Sequence, residues 1–323
     1  MTKSFSSGVS PSSKAITGKP CSSIAAVAPL FPKTSYGVNA PWHNQFTGEF
    51  NILTIIKYIL FSSEIKKLKL YNFDIGIDIL GSFWGSLLLL RLNIPRRFGV
   101  KGYGGGHSAT EKYIIFDEST HVTTASLKFG TLIGTDSISY SKPQIYLTKK
   151  EKKEGDKFWL NSRLFRVVIA PGGSFEEKCW PKKNFSALAE IILNKNITVI
   201  YIGDSADAFL YPKRLNKTQN LIGKTTLRQS CSIIASSDVV ICNSSFVMHV
   251  AAAFDINNLV LLGKWYESAQ AHKDQWGHEK TTIIGVEQRE GINEISSVQQ
   301  AFITSVRITK DFSTKQPTRT QLR

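Results

Sequence analysis

Two short stretches combine residue types suited to holding a phosphate. In the first, the apolar run Val239–Cys242 passes through Asn243, Ser244 and Ser245 into a second apolar stretch that carries His249. The hydroxyls of Ser244 and Ser245 can close a helix or donate to a phosphate oxygen. His249 is open to two readings, a core histidine satisfied by a neighbour or a side chain that reads a ligand. The second stretch is APGGSFEEKCWP, residues 170–181. Here Gly172 and Gly173 let backbone approach a ligand closely, Ser174 offers a hydroxyl, and Lys178 can set an ammonium on a diphosphate. An ordinary glycine-rich turn with a solvated lysine has the same composition. Neither stretch has the glycine and Lys-Ser/Thr spacing of a Walker loop or of a dinucleotide fingerprint.

The elements that must carry these stretches alternate. RVVIA, ITVIYIG, DVVIC and NNLVLLG are short β-branched or apolar runs and read as strands. Between the first two, Phe185, Leu188, Ala189 and Ile192 repeat at helical spacing. A polar segment that also reads as helical leads to NLIGK, and Thr226 and Gln229 then have capping-box spacing ahead of Leu227, Cys231 and Ile234. Val247, Val250, Ala251 and Phe254 place one more helix after DVVIC. This alternation predicts a parallel sheet covered on both faces. In such a sheet ligands sit beyond the carboxyl ends of the strands, where helix N-termini present unpaired N–H groups and partial positive charge.

The first half is less regular. TSYGVNA, FDIGIDIL and KYIIF read as strands, residues 50–69 and 82–92 as helices, and KGYGGGHS as a loop. A second α/β domain follows, with the boundary expected near the charged, flexible-looking LTKKEKKEGDKF. The segment IGIDILGSFWGSLLLLRLNI is interrupted by Asp78 and Arg91 and is too short in apolar run to span a bilayer. It reads as a buried strand followed by a helix. The apolar SIAAVAPLF near the start is Pro-interrupted and lacks a cleavage signal, so no signal peptide is expected.

Composition narrows the partners. With 323 residues, 42% hydrophobic and 20% charged, the chain can bury two cores. Forty Lys and Arg against 25 Asp and Glu give a net charge of +15, which favours anionic ligands or surfaces. Cys21, Cys179, Cys231 and Cys242 are scattered, which fits neither a zinc site nor a disulfide framework and suits a reducing cytoplasm. No metal or cofactor is called for. No recognition helix or RNA-binding signature appears, so nucleic acid is not an expected partner.

Together these stretches resemble glycosyltransferase family 9, the family of the lipopolysaccharide heptosyltransferases. Pro171-Gly172-Gly173-Ser174 followed by Lys178-Cys179-Trp180-Pro181 matches one family motif, Asn220 to Leu227 a second, and Asn243 to Ala253 a third. YNFDIGIDILGS and IPRRFGV are similar to segments of the family's N-terminal domain, so the likeness runs from about residue 70 to 305. The resemblance implies an α/β GT-B fold, two Rossmann-like domains with parallel sheets facing across a cleft. It implies residues 1–150 as acceptor domain, 151–308 as nucleotide-sugar domain and 309–323 as a basic tail. Carried over position by position, Gly172, Gly173, Ser174 and Lys178 fall at the donor diphosphate and Thr225 beside the base. Asp207 falls at the ribose, and Ser244, Ser245 and His249 lie near the phosphates. Ser244 stands where the family has Asp, and Phe246 where it has Gly.

The implied activity is inverting, metal-independent transfer of a heptose or related sugar from a nucleotide-diphosphate donor, with helix dipoles at residues 173–175 and 245–247 and Lys178 stabilising the departing diphosphate. The acceptor would be a lipopolysaccharide core or another anionic cell-surface glycan or glycolipid. The protein would be cytoplasmic, with peripheral contact at the inner face of the inner membrane. Family members begin with a strand and a Gly-Asp loop whose aspartate serves as base. Here no Asp or Glu precedes Glu49, so the first βα unit is atypical or missing and the catalytic base is unassigned. Asp74 and Asp78 are the nearest carboxylates in sequence, both more easily read as structural. A sugar-nucleotide or glycan-binding relative without catalysis is the rival class.

Overall fold

The structure is a computed structural model and describes residues 51–134, 142–159, 164–193, 197–211 and 218–285. The expected strand TSYGVNA, Cys21 and the basic tail lie outside them. The chain divides into two compact units, Met1–Ser141 and Lys142–Arg323.

In the first unit, α1 (Ile52–Phe61) and α2 (Ser63–Lys69) precede β1 (Ile75–Ile77), α3 (Phe83–Arg91), β2 (Arg96–Lys101), β3 (Lys112–Ile115) and α4 (Val122–Ile133). The three strands form a parallel sheet in the order β1-β2-β3. The stretch 75–94 is therefore a strand and a helix, and among the described residues no helix is long and apolar enough to cross a membrane. Ile55, Ile59, Leu68, Leu88, Leu89 and Ile94 make one core cluster, and Phe98, Val100, Ile114 and Phe129 make another. Helix α1 buries only Ile55 and Ile59 and leaves Ile52, Leu53, Ile56, Leu60 and Phe61 exposed.

The second unit opens with α5 (Lys149–Lys157), which falls in the segment expected to be a flexible boundary. That expectation is corrected here, because the charge run is anchored at both ends. Thr148 and Glu151 close a full capping box, and Glu151 grips Arg228 through two short bonds of 2.7 and 2.6 Å. At the other end, Asp156 meets Arg166 at 2.6 Å and Trp159 donates to Ser236 at 2.9 Å. A lysine-rich helix packs when its few non-lysine positions face a partner.

Beyond α5 come β4 (Phe165–Ala170), α6 (Lys182–Leu193), β5 (Ile197–Tyr201), β6 (Thr218–Asn220) and α7 (Leu227–Ala235). They are followed by β7 (Val239–Cys242), α8 (Phe246–Ala253), β8 (Asn257–Leu261), α9 (Ala269–Trp276) and β9 (Thr281–Ile284). All pairings are parallel and the order is β6-β5-β4-β7-β8-β9. Strands β4, β5, β7 and β8 coincide with the four runs read from sequence. The polar stretch before NLIGK is not a regular α-helix where it is described. It holds a 3-10 turn over Ser205–Leu210 and the edge strand β6. The capping box at Thr226 and Gln229 is present with both arms.

Candidate phosphate-binding corner

In the second unit the connections leave β4 in one direction towards β5 and β6, and in the other direction from β7 towards β8 and β9. Numbered from β4, the order is 3-2-1-4-5-6, and the crevice lies where β4 and β7 part. Both stretches singled out above begin there, since Ala170 is paired with Cys242 at the last rung.

Asn243 joins the two corners. Its amide Nδ2 donates to the carbonyls of Pro171 at 2.6 Å and Gly172 at 3.3 Å, and its Oδ1 accepts from the backbone N–H of Trp180 at 2.8 Å. The residue is fully buried. A third corner, after β8, locks onto the same loop. Gly263 N–H donates to Lys178 O at 3.2 Å and Trp265 N–H to Glu177 O at 3.0 Å. A Cβ on Gly263 would lie 2.3 Å from Glu177 O, so only glycine allows this approach. Phe175 and Trp265 meet edge to face at 4.9 Å.

The expected residues are distributed as follows. Lys178 is half-buried, with its ammonium 4.8 Å from the centre of the Phe175 ring. It closes a three-residue 3-10 turn, Glu176–Lys178, and α6 begins only at Lys182. The helix dipole expected at residues 173–175 is therefore absent, because Pro181 sits just before α6 and the preceding loop makes its own short turn. Gly173 and Ser174 are exposed. The space that Gly172 leaves open is filled from within the unit, as a Cβ there would lie 2.1 Å from Asp207 Oδ2.

Asp207 belongs to the loop after β5. Its carboxylate accepts from the N–H of Asp204 at 3.0 Å, and burial raises its pKa against that hydrogen bond. Thr225 Oγ1 lies 2.8 Å from Ser230 Oγ at the start of α7. Ser245 occupies the N-cap of α8 without a side-chain capping bond, so that hydroxyl does not occupy the helix terminus. His249, in the first half of α8, directs Nδ1 to His278 Nε2 at 3.0 Å and lies 6.0 Å from the Trp276 ring.

Ser244 has partners that the sequence did not suggest. His272 Nε2 lies 2.8 Å from its hydroxyl, Tyr266 also hydrogen-bonds it, and the Tyr266 and His272 rings are 4.6 Å apart. Burial lowers the His272 pKa to about 4, and the positive charge of Lys178 adds to the effect, so this imidazole is neutral at pH 7. Cys179 is held as a thiol, its pKa pushed up to about 11 by burial and then by Asp207 and Glu176. It is therefore no thiolate nucleophile at neutral pH. Asn243 and His272 are functional candidates that no sequence signal marks by itself. Asn243 lay inside a recognised motif, but its spatial link to Pro171 is not a spacing. His272 sits on a helix without apolar periodicity, 28 residues from its partner.

In the first unit Asp78 follows β1 and is 9% exposed. Burial raises its pKa to about 7, opposed by hydrogen bonds from the N–H groups of Ser82, Gly81 and Leu80, and Oδ2 has no partner among the described residues. Protonation therefore stabilises the native state. The contribution is full below about pH 4, falls as pH rises to about 7 and is absent above. Asp78→Asn should remove this slope and raise stability at pH 8 by about 2 kcal/mol, measured by urea unfolding at pH 5 and pH 8. Equal slopes in the two proteins would refute it. Among the described residues no group of His, Cys, Asp or Glu is gathered that could hold a metal ion.

Two Rossmann-like α/β units, the second with its ligand crevice at the reversal of strand order, define the GT-B class of proteins. Residues 62–294 match the profile of Glycosyltransferase family 9 (heptosyltransferase), and the chain belongs to that family. Lipopolysaccharide heptosyltransferase 2 of Salmonella typhimurium is 30% identical over 131 residues, 38% of each chain. The lipopolysaccharide core heptosyltransferase OpsX of Haemophilus influenzae is 26% identical over 198 residues, 58% of this chain and 56% of the relative. The chain thus matches little more than a third of the first of these and just over half of the second. Among solved structures, the Veillonella parvula family 9 glycosyl transferase superposes with a TM-score of 0.62 at 15% identity, covering 76% of this chain and 79% of that one. Escherichia coli ADP-heptose heptosyltransferase II gives a TM-score of 0.55 at 22% identity, covering 68% and 71%. Both likenesses bear on the fold.

Proposed function

We propose that the protein is an inverting glycosyltransferase that moves a heptose or related sugar from a nucleotide-diphosphate donor to a lipopolysaccharide-core or similar anionic glycan acceptor. The observation that carries this reading is the junction at Asn243, which binds the Lys178 loop and the N-terminus of α8 to one crevice. One relative, the Escherichia coli heptosyltransferase WaaC, has been captured with ADP and with ADP-2-deoxy-2-fluoro heptose, which favours a nucleoside diphosphate in the corresponding crevice here. Gly172, Gly173, Ser174, Lys178, Ser244, Ser245 and His249 would surround the diphosphate, with Asp207 and Thr225 towards the nucleoside.

In the reaction an acceptor hydroxyl oxygen bonds to the anomeric carbon on the face opposite the diphosphate. The bond from that carbon to the diphosphate oxygen breaks, and the diphosphate leaves with the electron pair. Lys178 and the uncapped N–H groups at the start of α8 stabilise the charge that builds on it. The hydroxyl proton passes to a base, which is not assigned among the described residues. The deciding experiment incubates the chain with ADP-heptose and a heptose-deficient lipopolysaccharide acceptor and follows transfer by mass spectrometry. A product with inverted anomeric configuration is expected. Donor binding with no product across a panel of acceptors would favour the non-catalytic relative instead.

The acceptor side suggests an anionic membrane surface, with the protein on the cytoplasmic face of the inner membrane. The exposed apolar residues of α1 adjoin Lys57 and the lysines 66, 67 and 69 of α2, a pairing of apolar and basic groups suited to acidic headgroups. Sedimentation with phosphatidylglycerol vesicles should retain the protein. Replacing Leu53 and Phe61 with Ser should release it, and equal retention would remove α1 from the argument.

A further inference from the structure

The hydroxyl of Ser244 has two neighbours with chemistry of their own. It meets a buried imidazole at 2.8 Å and also hydrogen-bonds Tyr266. The imidazole is enclosed by Tyr266 and lies within the electrostatic reach of Lys178. On its own helix the charged neighbours are Lys273 and Asp274. An aspartate at position 244 would bring negative charge to the crevice in which a diphosphate is to be held. A serine brings none, but its hydroxyl accepts as readily as it donates, and here it has both His272 and Tyr266 as hydrogen-bond partners.

Resting on the donor-site reading above, we propose that His272 is a positioning residue. Its ring nitrogen and the Tyr266 hydroxyl both donate to Ser244 Oγ, filling its two lone pairs, which turns the serine proton outward to hydrogen-bond a phosphoryl oxygen of the nucleotide diphosphate. Ser244 and His272 then act as one neutral donor unit beside the cationic Lys178, and the ligand recognised is the diphosphate rather than the sugar. Because a neutral imidazole carries a single N–H, only the tautomer protonated at Nε2 supports this arrangement.

The unit predicts coupling that a merely structural histidine lacks. Gln at position 272 carries an amide nitrogen close to where Nε2 lies, whereas Asn reaches only as far as Nδ1. Calorimetric titration of the full chain with ADP, UDP and GDP is therefore made on wild type, S244A, H272N, H272Q and the S244A/H272N double variant. Thermal midpoints are recorded alongside to confirm folding. S244A and H272N should each weaken the best nucleoside diphosphate about fivefold to tenfold. The double variant should lose no more than the weaker-binding single variant, and H272Q should recover most of the wild-type affinity.

Losses that multiply in the double variant, or H272N binding as well as wild type, would overturn the role of His272 and leave the donor site standing. A wild-type chain that binds none of the three diphosphates overturns the donor site and this proposal with it.

Discussion

Lys178→Ala is expected to weaken binding of the nucleoside diphosphate by about 30-fold to 100-fold, the worth of about 2–3 kcal/mol for a charge-assisted contact to phosphate. Stability should change little. The backbone carbonyl of Lys178, which accepts from Gly263, is untouched by the substitution. The side chain contributes only its contact with the Phe175 ring, worth about 0.5–1 kcal/mol at a partly exposed site. A second readout is independent of ligand. Lys178 is one of two causes that hold the His272 pKa down, so its removal should move the His272 titration upward from about 4, as followed by NMR. Burial, the larger cause, remains, so the group should stay below the ordinary histidine value. Unchanged diphosphate affinity in K178A would remove Lys178 from the site even if the histidine moved.

The contrast between these two residues shows what a sequence can carry. Lys178 was legible because a lysine after a glycine-rich turn at the end of a strand belongs to a local pattern. The four central strands were legible for a similar reason, since a strand buried on both faces must be apolar along its whole length. Strands β6 and β9 were not. They are the two edges of the sheet, paired on one side only, and TQN and TTII have no need of a continuous apolar run. Helix α5 was obscured by its lysines; its Thr148–Glu151 capping box is a local signal, whereas Arg228, which Glu151 grips, joins it only once the chain is folded.

The site divides along the same line. Gly172 and Gly173 were read as close approaches to a ligand, and the atoms nearest a Cβ at these positions are those of Asp207 and Cys179, side chains of the same unit. The expected dipole at residues 173–175 assumed that the strand ran straight into a helix. The chain instead spends eleven residues, 171–181, on a loop that the β8 corner ties down. Partners such as His272 and Gly263 are set by topology, which brings the ends of β4, β7 and β8 to one edge of the sheet. No spacing along the chain encodes that.

Asn243→Leu should cost about 4 kcal/mol of stability in the second unit, measured by urea unfolding, although leucine is close in size and the site is fully buried. The argument rests on what is left behind. The carbonyls of Pro171 and Gly172 and the N–H of Trp180 all bond this one side chain, and each buried group stripped of its partner costs about 1–3 kcal/mol, less what water or relaxation restores. Asn243→Asp separates hydrogen bonding from shape. It keeps an acceptor for Trp180 but sets a second carboxylate oxygen against the Pro171 carbonyl, where the amide now donates at 2.6 Å. Aspartate should therefore be as damaging as leucine at pH 8 and milder at pH 5, where protonation restores one donor. Because Asn243 ties the Lys178 loop to the start of α8, both variants should also lose diphosphate affinity before they unfold. A variant that kept full affinity would mean that the two corners bind independently.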